Sequence, residues 1–148
     1  MITIKMITNS DYKAVLGMMK VFYASDAVFT NGSEEIFKCD IETCLSNSPY
    51  LEGYVFCQAA AIIGYGMLAK SFSTEFGKPC IWIEDLYIKP DYRGLGIGKK
   101  FMEFVEKKYP ECLLRLEVEQ ENLKALKLYE KCGFKKLPYM EMHKGAKN

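Results

Sequence analysis

Apolar residues along this chain recur sometimes at a spacing of two and sometimes at three to four, and each change of period marks an element. Ile2 to Ile7 predicts a strand, and Asn9-Ser10-Asp11 marks the start of a helix whose apolar stripe includes Val15, Leu16, Met19, Phe22 and Tyr23. Asn31-Gly32-Ser33 breaks the run. Ser33 has the side chain of an N-cap, and Ile36, Phe37, Ile41, Cys44 and Leu45 follow at helical spacing until Asn47-Ser48-Pro49 stops them. Leu51 to Cys57 and Ala60 to Ala69, parted only by Gln58-Ala59, predict a hairpin. A polar connection from Ser73 to Pro79 leads to Cys80 through Ile88, whose β-branched and aromatic content predicts a central strand ended by Lys89-Pro90-Asp91. Ile97, Phe101, Met102 and Val105 predict a helix from Gly96 to about Tyr109, and Leu113 to Val118 supplies the next strand. A last helix, about Asn122 to Cys132, carries Ala125, Leu126, Leu128 and Tyr129 and ends at Gly133; a terminal strand is expected around Phe134 to Met142. Without repeats, linkers or low-complexity tracts, residues 1–148 read as one mixed α/β layer domain.

Composition narrows the function. The 148 residues are 49% hydrophobic, enough for one substantial core. Lys plus Arg number 20 against 19 Asp plus Glu, a net charge of +1 that lacks the field of a nucleic-acid binder. No apolar run approaches the roughly 20 residues of a membrane span, and MITIKMITNSDYK has no signal-peptide core, so a cytoplasmic protein is expected. Cys39, Cys44, Cys57, Cys80, Cys112 and Cys132 form no C-x-x-C pair and read as reduced thiols. No His/Cys/carboxylate cluster has metal-ligand spacing, and a cysteine nucleophile would lack a base beside it, since the one histidine is His143.

The chemistry concentrates between the central strand and the following helix, in Pro90-Asp91-Tyr92-Arg93-Gly94-Leu95-Gly96-Ile97-Gly98-Lys99-Lys100. Glycines let the chain bend tightly and bring backbone N–H groups against a ligand, and the helix N-terminus favours an anion such as pyrophosphate. Gly94, Gly96 and Gly98 could instead simply shape a tight turn. A dinucleotide fingerprint is a rival, with Glu117 and Glu119 about 20 residues on. Its spacing is wrong, however: Lys99 stands where the last glycine should be, and no Gly-Lys-Ser/Thr follows for a Walker A loop.

This segment resembles the GNAT family of acyl-CoA N-acyltransferases. Arg93-Gly94-Leu95-Gly96-Ile97-Gly98 matches the family signature [R/Q]-x-x-G-x-[G/A], and Ile83-Glu84-Asp85-Leu86-Tyr87-Ile88-Lys89-Pro90 looks like its fourth strand and loop. Asn122, Ala125, Tyr129, Gly133 and Phe134 match its second block, N-x-x-A-x-x-x-Y-x-x-x-G-F, so the resemblance covers the C-terminal half by motif and the first 75 or so residues by pattern. It implies a GNAT-like α/β (α+β) fold, a mixed and mainly antiparallel sheet with helices on both faces. It also implies acetyl-CoA as donor and a primary amine of a small molecule or peptide as acceptor, by direct attack without an acyl-enzyme. Homodimerisation is common among relatives.

In such enzymes the fourth and fifth strands splay at a bulge and the pantetheine arm fills the gap. That assigns backbone groups of Leu86 and Ile88 to CoA, with Tyr87 between them among the cofactor-binding residues; the Leu86 N–H would face the thioester carbonyl as an oxyanion donor. The pyrophosphate would sit on N–H groups of Arg93, Gly94, Leu95, Gly96, Ile97, Gly98 and Lys99. Tyr129 is the expected acid for the departing thiolate, with core packing as the alternative, and Asn122 is a pantetheine contact, an N-cap, or both. A base must take the amine proton. Alternation puts Glu84 and Asp85 on opposite faces, so at most one meets the cleft; the resemblance favours Glu84, since similar Glu-Asp pairs occur at this place in some sugar-amine members, although a structural ion pair would also explain them.

The resemblance also implies that the first two helices and their loop wall the acceptor site, and there Asp26, Glu34, Glu35, Asp40, Glu42 and Glu52 against Lys38 would attract a cationic amine or merely face solvent. Tyr23, Phe29 and Tyr54 are candidates to line it or to pack in the core. The reading from another class is a non-catalytic acyl-CoA-binding sensor or scaffold of the same fold.

Overall fold

A computed structural model describes residues 1–146. Five strands form one sheet in the order β1-β2-β3-β4-β5: β1 Ile2–Met6, β2 Leu51–Gln58, β3 Ala61–Ser73, β4 Lys78–Ile88 and β5 Leu113–Leu116. Neighbours are antiparallel except β4 and β5, which run parallel, so the sheet is mixed and mainly antiparallel. Helices α1 (Tyr12–Tyr23) and α2 (Glu34–Leu45) cover one face; α3 (Ile97–Lys108) and α4 (Leu123–Lys131) cover the other.

Each face buries its own core. Val15, Met18 and Met19 of α1 and Phe37 and Ile41 of α2 pack on Val55, Tyr65, Met67 and Tyr87, while Phe101, Met102 and Val105 of α3 pack on Phe56, Ile63, Leu68, Ile81 and Ile83. Burying such side chains contributes roughly 1.5–3 kcal/mol each. Helix starts follow the expected caps: Ser33 Oγ accepts from the Ile36 N–H at 3.2 Å, and Asn122 Oδ1 from the Ala125 N–H at 3.3 Å. No helix among the described residues is long and apolar enough to cross a membrane.

The structure departs from the sequence reading in four places. The hairpin turns one residue later, at Ala59-Ala60, with Ala59 in the left-handed region (φ 54°). The ribbon of β3 and β4 runs on through the segment read as a polar connection, leaving only Thr74 to Gly77 as its turn. The fifth strand stops at Leu116 instead of Val118. The terminal strand expected over Phe134 to Met142 is irregular chain: Pro138 breaks the alternation, and Leu137, Tyr139, Met140 and Met142 stay exposed.

Candidate active site

The site grows from one irregularity in β4. Met67 pairs with Asp85 while its neighbour Leu68 pairs with Ile83, so Glu84 has no partner on β3 and is a bulge. The parallel ladder to β5 ends at the same point, with Ile83 opposite Leu116. Beyond it β4 and β5 part, and a cleft of about 430 Å³ opens between them, lined by Phe22, Tyr23, Glu84, Leu86, Asn122 and Tyr129 among others.

Hydrogen-bond phase decides which backbone groups face that gap. The Lys89 N–H donates to the Ile63 carbonyl at 2.8 Å, so in the antiparallel register Tyr87 and Asp85 also turn their backbone groups to β3. Leu86 and Ile88 therefore turn theirs toward the departed β5. Tyr87, expected among the cofactor contacts, is instead committed to β3 by its backbone and to the α1–α2 core by its side chain. Ile88 is half available: its carbonyl accepts from Arg93 Nε at 2.7 Å, leaving its N–H toward the gap. Arg93 thus folds back on β4, its guanidinium 5.6 Å from the Tyr87 ring centroid, and its backbone N–H, expected on the pyrophosphate, instead donates to the Pro90 carbonyl at 3.2 Å and closes the turn.

That loop keeps its donors free. Gly94 (φ 78°) and Gly96 (φ 80°) are left-handed, and nothing lies within 4 Å of where a Cβ would stand on either. Among the described residues the N–H groups of Gly94, Leu95, Gly96, Ile97, Gly98 and Lys99 have no backbone partner; the first helical bond is from the Lys100 N–H to Gly96. Gly98 has a separate task. A Cβ there would stand 2.9 Å from Leu128 Cδ2, so this glycine lets α3 and α4 approach.

Glu84 opens into the cleft, and its carboxyl is pushed above the usual range by burial first, then by the charges of Asp85, Glu141 and Asp40. Asp85 points the other way. It is 4% exposed and accepts from Tyr23 Oη at 2.9 Å and Tyr65 Oη at 2.7 Å; burial raises its pKa, against those two hydrogen bonds. Tyr129 lines the cleft, its ring centroid 6.0 Å from that of Phe134, and burial followed by Cys132 raises its phenol. Asn122 both caps α4 and lines the cleft.

Of the acidic residues expected around the acceptor, Asp40 acts on Glu84 and Tyr23, and burial and Asp85 push its own pKa up to about 6. Glu34 is taken by Lys20 and Lys38, and Glu42 accepts from Tyr12 Oη at 2.9 Å. Glu52 lies elsewhere, in a buried knot with Tyr54, Tyr109, Lys70 and Lys108, so neither it nor Tyr54 belongs to the pocket. Tyr23 and Phe29 do line it. The sequence places Glu117 and Glu119 only in the rejected dinucleotide reading and Val118 in the fifth strand; the early end of β5 releases all three into the cleft wall. Among the described residues no group of three or more His, Cys, Asp or Glu could hold a metal ion.

Comparison with known proteins agrees with this fold. The model of the "Acetyltransferase (GNAT) family" matches residues 20–134. A thialysine N-epsilon-acetyltransferase from Bos taurus is 38% identical over 87 residues, 57% of this chain and 51% of its own; the chain spans about half the length of the curated relatives it matches. A possible acetyltransferase from Clostridium difficile 630 superposes with TM-score 0.83 at 16% identity, covering 99% of both chains. AAC(6')-Iy, solved with the bisubstrate analogue CoA-S-monomethyl-acetylneamine, superposes with TM-score 0.81 at 14% identity, again over 99% of both.

Proposed function

Because the chain belongs to the acetyltransferase (GNAT) family, we propose that residues 1–148 form one domain, an acetyl-CoA-dependent N-acetyltransferase that acts on a primary alkyl amine. The observation that carries this is the coincidence, at one bulge, of an unpaired Leu86 N–H, the Glu84 carboxylate and the Tyr129 phenol, in line with a loop of six free N–H groups. The residues fit the donor: the glycine loop has room and donors for a pyrophosphate, and the opened edge of β4 can pair with an extended pantetheine amide arm. When bound, acetyl-CoA supplies the activated acyl group.

Glu84 takes the proton that an ammonium must lose before its nitrogen can attack, and burial, by raising its pKa, makes it a stronger base for that task. The Leu86 N–H donates to the oxygen that gains charge as the new C–N bond forms. Tyr129 returns a proton to the sulfur as the C–S bond breaks, and a phenol kept protonated by burial suits an acid. Asn122 steadies the start of α4, which carries Tyr129. The acidic surroundings of the cleft favour a cationic acceptor, in keeping with the thialysine acetyltransferases it resembles. Free thiols at all six cysteines suit a cytoplasmic protein.

The test follows free thiol while the protein meets acetyl-CoA and a panel of amines that includes thialysine. Turnover that falls by at least about tenfold in Tyr129→Phe, with coenzyme affinity kept, is expected. Coenzyme binding without turnover across the panel would make the protein an acyl-CoA sensor or scaffold instead.

A further inference from the structure

Resting on the N-acetyltransferase reading, we propose that Tyr23 selects the acceptor: its phenolic oxygen receives a hydrogen bond from the N–H groups of an amine, and offers nothing to a group that needs a donor. A phenol has one proton, and here that proton is committed to Asp85 Oδ1 at 2.9 Å. The other Asp85 oxygen takes the Tyr65 proton at 2.7 Å, and among the described residues no cation pairs with this carboxylate. Turning the Tyr23 O–H toward the cleft would strip a buried carboxyl group of one of its two hydrogen bonds. Only lone pairs remain for the ligand.

The position is equally constrained. The Tyr23 ring is wedged between Phe37, at 4.9 Å between centroids, and Phe22, edge-on at 5.2 Å. Its hydroxyl lies within electrostatic reach of both Glu84 and Asp40. On this wall of the cleft the other lining residues are Phe22, Ala27, Val28 and Phe29, all apolar. Tyr23 is the one polar side chain among these, and the atom it presents near the Glu84 carboxylate is therefore a hydrogen-bond acceptor. An alkylammonium or amine, rich in N–H and able to meet Glu84 and Tyr23 together, fits it. A carboxylate or phosphate brought to the same place meets lone pairs and negative charge.

Tyr65 provides the control, because it donates to the same carboxylate from β3 and does not line the cleft. Steady-state thiol release would be measured for wild type, Tyr23→Phe and Tyr65→Phe, varying thialysine or, if it is not accepted, the amine that the panel shows to be turned over fastest. Tyr23→Phe is expected to raise the amine KM by about tenfold with the acetyl-CoA KM unmoved, and Tyr65→Phe to leave the amine KM within about threefold of wild type. Equal increases in both variants would assign the effect to support of Asp85 and overturn the proposal, as would an unmoved amine KM in Tyr23→Phe. Wild type that neither turns over nor binds, by calorimetry, any amine of the panel removes the transferase reading and this inference together; normal wild-type turnover with an unmoved Tyr23→Phe removes this inference alone.

Discussion

Asp40 shows how a single side chain can work against the fold. Its carboxyl titrates near 3.8 when unfolded and at about 6 when folded, because burial and Asp85 oppose its charge. The folded state therefore holds the proton more tightly, and stability falls as pH rises through the window between those values. Asp40→Asn removes the penalty. Chemical denaturation should find the variant more stable than wild type at pH 7, by of order 1–3 kcal/mol, and equal to it below about pH 3.8. The carboxylate patch was visible in the sequence, but its members were not sortable there. Glu34, Glu42 and Glu52 are spoken for by Lys20, Tyr12 and Lys70, partners up to 30 positions away that only the fold supplies.

At the scale of elements, periodicity placed α1 to α4 and the body of every strand, since each buries one face and its spacing records that fact. It placed the terminal strand wrongly because alternation signals a side that could be buried, whereas a strand also needs a partner edge, and Phe134 to Met142 finds none among the described residues. The candidate site was legible through Gly94, Gly96, Asn122 and Tyr129, whose types are dictated by local chemistry. The second set, Glu117 to Glu119, depended on where β5 stops. Close approach of elements is also recorded in glycines. A Cβ on Gly64 of β3 would stand 2.5 Å from the Tyr87 carbonyl oxygen and 2.8 Å from the Phe56 ring, backbone and core that cannot yield cheaply. Gly64→Ala should destabilise by about 3 kcal/mol in urea unfolding and disturb β4 where it carries the site.

Across the whole molecule the sheet separates two layers, α1 and α2 on one face and α3 and α4 on the other, and the cleft draws its lining from both. Away from the cleft the fold is tied by Glu52. This buried carboxylate of β2 accepts from Tyr54 at 2.9 Å and Tyr109 at 2.7 Å, and pairs with Lys70 of β3 at 2.8 Å and Lys108 of α3 at 3.8 Å. Burial opposes its charge, but these partners prevail and hold its carboxyl below the usual range. The sign is opposite to that of Asp40: this contribution is present above about pH 4.5 and lost as pH falls. Glu52→Gln should cost about 2 kcal/mol in thermal or chemical unfolding at pH 7, with the gap to wild type closing toward pH 3.

Removing one residue from a central strand ordinarily turns every side chain beyond the cut inside out. At Glu84 it would not. Ile81 and Ile83 before the bulge and Leu86 and Ile88 after it face the same layer, and the odd-to-even change between them is the work of the one surplus residue. A 147-residue chain without Glu84 would knit an unbroken ladder with every apolar group on its proper side. The architecture gains nothing from this residue; its presence spends regularity on a gap between two strands and a carboxylate at the mouth of it.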